Sequence, residues 1–345
     1  MGSLLGVFLH AVGGFAAGSF YIPIKRVRGW AWESSWLVLG VAAWLLVPAV
    51  AAALTVPDWR GAITDTEAGT LQYTYGFGVL WGIGGLTFGL ALRYLGVSLG
   101  MAVALGLTAA FGTLVPPIYA GTFGAVLASP GGQVTLAGVV LCLVGIGVLG
   151  YAGVLKERAL ATAEATAATE GDFALKRGIG VAVVSGVLSA CFAFGLAAGA
   201  PIAERATASG APALFANNAT LVVILLGGFT TNGLYALGLN AARGTWRDYA
   251  SAEAPGLRNA AWSALGGLTW YLQFFFYGMG ESLLGERFGF ASWTLHMAFI
   301  IFFSTAWGLY LREWSAAGAA SRRALWWGLG LVAASTVVIG AGSWV

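Results

Sequence analysis

Charge is what this sequence has least of. Its 17 Lys and Arg and 14 Asp and Glu make up 9% of 345 residues, against roughly 25% in an ordinary soluble domain. A chain so poor in charge cannot clothe a water-facing surface of that size, which excludes a cytosolic enzyme and a disordered chain. The formal balance of +3 is too small and too dispersed to suggest a nucleic-acid partner. Cysteine is nearly absent. Cys142 and Cys191 both lie in apolar runs, which excludes a disulfide scaffold and matches no metal-binding spacing. The two histidines, His10 and His296, stand 286 residues apart. No Ser/His/Asp arrangement and no Walker A sequence occurs, so neither triad chemistry nor ATP drives this chain. Gly145 to Gly150 spells GxGxxG, but inside a long apolar run with no strand before it, where glycines serve close helix packing. The sequon Asn218-Ala219-Thr220 also falls within an apolar run and carries no glycan reading.

What is abundant points one way. Hydrophobic residues reach 59%, with 53 Gly, 15 Trp and 20 Phe, and glycine and interfacial aromatics are enriched in membrane helices. A helix needs about 20 apolar residues to cross the hydrocarbon. Runs of that length fall near 2–24, 36–56, 71–92, 98–120, 133–154, 178–200, 212–239, 259–280, 290–311 and 324–344. The alternating ten-residue segments of a barrel do not occur. The expectation is an all-α membrane protein with ten transmembrane helices, embedded in a lipid bilayer. The first run has no basic segment before it and reads as a retained helix.

Basic residues set the orientation. Loops 1–2, 3–4, 5–6, 7–8 and 9–10 hold 14 of the 17, and the opposite side holds only Arg60, Arg205 and Arg287. Both termini are therefore expected in the periplasm. The largest loop, residues 155–177, is rich in Ala, Thr and Glu and reads as a cytoplasmic linker between a first repeat at 1–154 and a second at 178–345. The repeat itself shows in Gly84-Gly85-Leu86-Thr87 and Gly266-Gly267-Leu268-Thr269, 182 residues apart, and in Pro23-Ile24 and Pro201-Ile202, 178 apart. Five helices per half is an odd number, so the second half must be inverted. Inverted repeats with a site near mid-membrane are a transporter architecture.

Polar residues within the spans cost free energy unless they face a partner or a cavity. They are His10, Asn217, Asn218, Asn232, Gln273 and His296, with Glu33 at the mouth of the second span. Trp270, Gln273 and Tyr277 share a face by i, i+3, i+7 spacing. An amide between two aromatics suits a neutral polyol, because rings cover the C–H face while the amide bonds hydroxyls. Trp293 and His296 repeat the i, i+3 arrangement, and Gly227-Gly228 is expected to break helix 7 so that Asn218 and Asn232 reach the same cavity. No Asp, Glu, Lys or Arg is expected near the midplane, which favours a neutral solute. Ion coupling then falls to His10, His296 or Glu33, with Glu33 partly desolvated by Trp30, Trp32 and Trp36. Plainer readings stand beside these: glue between helices for His10, His296 and Gln273, and a snorkelling interfacial carboxylate for Glu33.

Several segments carry a family resemblance. They are Phe20-Tyr21-Ile22-Pro23 running into Trp32-Glu33, Trp81 to Gly96, Gly266 to Tyr277, and Ser292 to Met297. In this order they resemble the L-rhamnose–proton symporters of the drug/metabolite transporter superfamily. The resemblance implies a bacterial inner-membrane carrier, without catalytic activity or cofactor, that imports a 6-deoxyhexose with protons. It implies roles for His10, Glu33, Gln273 and His296, and Trp81 joins the candidate substrate-binding residues. Gly85 stands where some members carry an Asn, which leaves L-rhamnose, L-fucose and similar deoxysugars open. A metal cation stays open as the coupled ion, since His and Glu also ligate metals. A drug or metabolite exporter on the same scaffold is the alternative function.

Overall fold

The computed structural model describes residues 2–95, 97–163, 175–251, 254–288, 291–315 and 317–342. Among them there is helix and no strand. Ten long helical segments run in sequence: α1 (Gly2–Ser19), α2 (Trp32–Gly40, Val41–Leu46 and Val47–Thr55, end to end), α3 (Ala68–Leu95), α4 (Val97–Tyr119), α5 (Pro130–Ala163), α6 (Leu175–Ala198), α7 (Asn217–Arg243), α8 (Gly256–Phe288), α9 (Ser292–Tyr310) and α10 (Ala319–Gly342). Short helices at Tyr21–Ile24, Trp59–Thr64, Phe123–Ala128 and Ala200–Ala208 lie between them.

Among the described residues, nine of the long helices are both long and apolar enough to cross a membrane. The exception is α8, whose 33 residues include Gln273, Glu281 and a run of Trp and Tyr. Its low hydropathy follows from its place, since Tyr271, Phe274 and Tyr277 are buried against protein. The outer surface inverts the pattern of a soluble protein. Leu4, Leu54, Leu234, Trp327 and Val337 are exposed, while His10, Thr113, Ser185, Asn232 and His296 are buried. An outward apolar surface is stable only where lipid covers it. Inside, many hydroxyls satisfy themselves by bonding the carbonyl one turn back, as Thr108 does to Ala104 and Thr305 to Ile301.

The end of α5 and the course of α2 differ from the sequence reading. The α5 helix continues to Ala163 rather than ending near 154, because Lys156 to Ala163 is made of strong helix formers; positions 164–174 of the expected linker lie outside the described residues. Helix α2 widens into a π turn at Val41–Leu46 directly before Pro48. Proline offers no N–H to the Trp44 carbonyl and its ring crowds that carbonyl, so a wider turn relieves both.

The packing follows a simple plan. Helix α3 rests on α6 and α7, and α8 rests on α1 and α2. Helix α4 lies on α6, α9 lies on α1, and α5 pairs with α10. The α3–α7 crossing is made by glycines, because a Cβ on Gly78 would strike the Ile224 carbonyl and one on Gly228 the Trp81 ring. These glycines do not break α7, which is continuous from Asn217 to Arg243. The expected opening at Gly227-Gly228 is thus replaced by close packing. Gly244, at φ 70°, ends that helix in the left-handed conformation that favours glycine.

Candidate functional site

The inward face of α8 is set by helical phase. Trp270, Phe274 and Tyr277 stand at i, i+4, i+7 and meet Trp81 of α3, Phe192 of α6 and Trp293 of α9. Trp81 stacks on Trp270 with centroids 5.7 Å apart, Phe192 on Phe274 at 4.4 Å, and Phe192 on Trp293 at 5.5 Å. Trp44, in the π turn, meets Trp270 edge-on at 5.2 Å. The indole N–H of Trp293 bonds the Thr108 carbonyl at 3.0 Å, which fixes the ring against α4. Five helices thus meet in one cluster of aromatic rings, worth roughly 0.5–1.5 kcal/mol per pair beyond the area buried.

Gln273 is not part of that face. It is buried, its amide nitrogen turns back on the Trp270 carbonyl at 2.9 Å, and its own backbone carbonyl packs against Gly13 of α1. The expectation of Trp270, Gln273 and Tyr277 together therefore holds only for the two aromatics. The i+3 step rotates Gln273 toward α1, while the i+4 step keeps Phe274 in line.

His10, Tyr277 and His296 form a triangle. Ring centroids are 5.3 Å apart for His10–Tyr277, 5.2 Å for Tyr277–His296 and 6.0 Å for His10–His296. Both histidines are fully buried, and none of their four ring nitrogens has a hydrogen-bond partner among the described residues. Slots for the rings are cut by glycine: a Cβ on Gly280 would lie 2.9 Å from His10, and one on Gly13 3.1 Å from His296.

Tyr277 and Trp293 also form the floor of a cavity of about 550 Å³, within the roughly 300–1,000 Å³ of small-molecule pockets. Its walls are mostly Ala, Gly and Pro from α4, α6 and the 200–213 segment, and its polar lining includes Asn217, Glu281, Ser282 and Glu204. The Asn217 amide donates to the Glu281 carboxylate at 3.2 Å. Glu281 is a residue the sequence reading passed over by ending the eighth span at 280. The signal was present, since Glu281 follows Tyr277 by four residues and extends its face by one turn.

The other asparagines do not reach this cavity. Asn218 bonds the Thr55 hydroxyl at 2.8 Å. Asn232 donates to the carbonyls of Gly82 and Gly228 and accepts from the Trp36 indole at 3.3 Å. An amide has two donors and an acceptor to place, and where helices cross on glycines a neighbouring carbonyl lies within reach.

Glu33 lies at the opposite end and is almost completely buried. It accepts from Thr245 at 3.0 Å and from Arg243 at 3.4 Å, which ties the start of α2 to the end of α7. Around it, Asp248 accepts from Ser34 and from the Ala31 N–H, both at 2.7 Å, and Tyr249 donates to the Ser34 carbonyl. Asn259 makes a two-way backbone clasp with Arg28. Among the described residues no group of three His, Cys, Asp or Glu side chains could hold a metal ion.

Comparison with known proteins agrees with this membrane architecture. Residues 2–343 match the family model of the L-rhamnose-proton symport protein. The chain is 39% identical to the L-rhamnose-proton symporter of Mannheimia succiniciproducens over 98% of both chains. It is 39% identical to that of an Enterobacter species, over 91% of this chain and 90% of the relative. With the Yersinia pestis symporter the identity is 38% over 90% of each chain. No solved structure matches. With a match across nearly its whole length, this multi-pass membrane protein belongs to the L-rhamnose-proton symport protein family, a family of transporters and not of enzymes.

Proposed function

We propose that this chain imports a neutral 6-deoxyhexose, L-rhamnose or a close analogue such as L-fucose, with protons and by alternating access across a bacterial inner membrane. The cavity carries the reading. Its floor of Tyr277 and Trp293 offers rings to the C–H face of a sugar, and Asn217 offers an amide to its hydroxyls. No Lys or Arg lines it among the described residues, so an anionic substrate would find no fixed partner. The relatives bear the name L-rhamnose-proton symporter, which supports a 6-deoxyhexose as the sugar and the proton as the coupled ion.

In this reading α1–α10 all span the bilayer as two inverted repeats. The exchange of packing partners supports it: α3 sits on α6 and α7 as α8 sits on α1 and α2. Gly84 approaches α6, and Gly266 approaches the chain that follows α1. Placing the basic loops in the cytoplasm puts both termini and the cavity mouth in the periplasm. The ties around Glu33 then close the cytoplasmic end, and Trp44, Trp81 and Trp270 form the barrier between the ends. His10, beneath the cavity floor, and Glu33, at the cytoplasmic closure, are the proposed groups that carry the coupled proton onward through the membrane.

Titration calorimetry of purified protein against a panel of deoxysugars tests the reading. L-rhamnose or L-fucose is expected to bind and D-glucose to bind far more weakly; a panel without binding overturns it. A periplasm-only reporter fused after Val345 is expected to be active, and a silent fusion overturns the orientation.

A further inference from the structure

Glu281 differs from Glu33, Glu313 and Glu204 in what surrounds it. Glu33 has Arg243 and Glu313 has Lys25. Glu204, on the cavity rim, is exposed to its surroundings. Glu281 is half-buried in the cavity wall, and its hydrogen-bond partner is the neutral Asn217 amide. Among the described residues, the titratable and charged groups on the elements around it are few. From its own helix comes Tyr277, one turn deeper; from the Ala200–Ala208 helix, Glu204, with Arg205 outside the lining; from α1 and α9, His10 and His296 beneath the floor. Neither α4 nor the start of α7 contributes a charge to the lining. Among the described residues, protonating Glu281 therefore breaks no ion pair, and the group that feels the change is a side chain of the sugar cavity.

We propose that Glu281 is the site at which this carrier loads its proton, and that Asn217 passes the protonation state on to the sugar. This rests on the symport reading above. While Glu281 is ionised, its oxygen holds the Asn217 NH₂ as a donor. A proton from cavity water converts the carboxylate to a carboxylic acid with an O–H to donate, and water loses that proton. The amide turns over so that its oxygen accepts from the new O–H. Its NH₂ is then free to donate to a sugar hydroxyl above Tyr277 and Trp293. Sugar binds best to the protonated carrier, which is the thermodynamic requirement for symport.

The test is calorimetric binding of L-rhamnose to the full-length protein over a range of pH, with counterflow exchange and gradient-driven uptake in proteoliposomes. The parent is expected to lose affinity about tenfold per pH unit once Glu281 ionises. Glu281→Gln, an uncharged mimic of the loaded state, is expected to bind at the parent's acid-side affinity at every pH. It should exchange sugar for sugar and fail in gradient-driven uptake. Glu281→Asp keeps a titratable oxygen, so it is expected to retain a pH slope with a displaced midpoint, and it serves if the Gln variant does not fold. A full pH slope or full gradient-driven uptake in Glu281→Gln, or loss of the slope in a folded Glu281→Asp, overturns the assignment while leaving the symport reading intact. Absence of deoxysugar binding by the parent overturns that reading, and this proposal with it.

Discussion

Where α7 begins, the walls around it are Ala, Gly and Pro, and Asn217 and Glu281 face a cavity. Where α7 ends, Glu33, Ser34, Asp248, Thr245 and Tyr249 interlock around it with bonds of 2.7 to 3.4 Å. One helix thus faces a cavity at one end and is bolted to α2 at the other. Under the proposed alternating access, such asymmetry is what a carrier open on one side needs, because the closed end requires bonds strong enough to hold and specific enough to release. The bonds to Glu33 and Asp248 at the closed end are charge-assisted, which makes them about twice as strong as neutral ones. At the cavity end Asn217 and Glu281 bond each other and line the cavity.

Breaking the bolted end should have the largest effect. Asp248 accepts two short bonds from the start of α2, and each bond to a charged group is worth roughly 1.5–3 kcal/mol. Asp248→Ala is expected to weaken the closure by about 2–3 kcal/mol, a shift of roughly 30- to 100-fold between end states. Labelling of a cysteine introduced at Ala197, on the cavity wall, should slow accordingly in membranes. Labelling at the parent rate would mean that these bonds hold the fold and not the state.

The cavity end gives a smaller effect. Asn217→Ala removes one amide from the wall and is expected to weaken sugar binding about tenfold, near 1.4 kcal/mol. Melting temperature should hardly move, since the partner it leaves, Glu281, faces the cavity. Unchanged affinity with a lower melting temperature would make Asn217 a packing residue like Asn218.

Much of this contrast could be read from the sequence, and the missing parts share a cause. Long apolar runs located nine helices long and apolar enough to cross a bilayer among the described residues, because crossing demands length and hydropathy in one continuous segment; α8 falls short of that hydropathy. The aromatic face of α8 was also legible in Trp270 and Tyr277. Which amide meets the cavity was not. Asn217, Asn218 and Asn232 look alike in sequence, and only the glycine crossing of α3 with α7 decides that Asn232 finds a carbonyl at Gly82 while Asn217 finds a cavity. Glu281 was missed because hydropathy ends a span at the first charge, whereas α8 continues for two more turns. Glu33 looked like a carboxylate between tryptophans; its partners, Arg243 and Thr245, lie more than 200 residues away.

Gln273 sharpens the comparison from within α8. It sits between the two ends, buried, with its amide on its own helix. Gln273→Ala is expected to lower stability by about 1 kcal/mol, the net worth of one buried hydrogen bond, and to leave sugar affinity within about twofold. A tenfold loss of affinity in a stably folded variant would show that the side chain turns toward the sugar when the cavity fills.

The smallest effect is predicted at the bolted end itself, and it separates bolts from ornament. Lys25 and Glu313 pair at 3.4 Å, beside the same basic loops as Glu33 and Arg243 and with the same spacing. Distance alone would rank the two pairs equally. Burial does not: both partners of the first pair are 51% exposed, whereas the Glu33 side chain is 1% exposed. An exposed pair exchanges its attraction for solvation it already had and orders two long side chains besides, so its worth is about 0–1 kcal/mol and falls with salt. Lys25→Ala is expected to leave the melting temperature within about 1 °C of the parent and cysteine labelling at Ala197 unchanged. Glu33→Ala, by contrast, removes acceptors that Thr245 and Arg243 both use, and labelling should slow as it does for Asp248→Ala. If Lys25→Ala slowed labelling as much as Glu33→Ala does, the closure would be held by charge summed over the whole face, and burial would not be what makes a bolt.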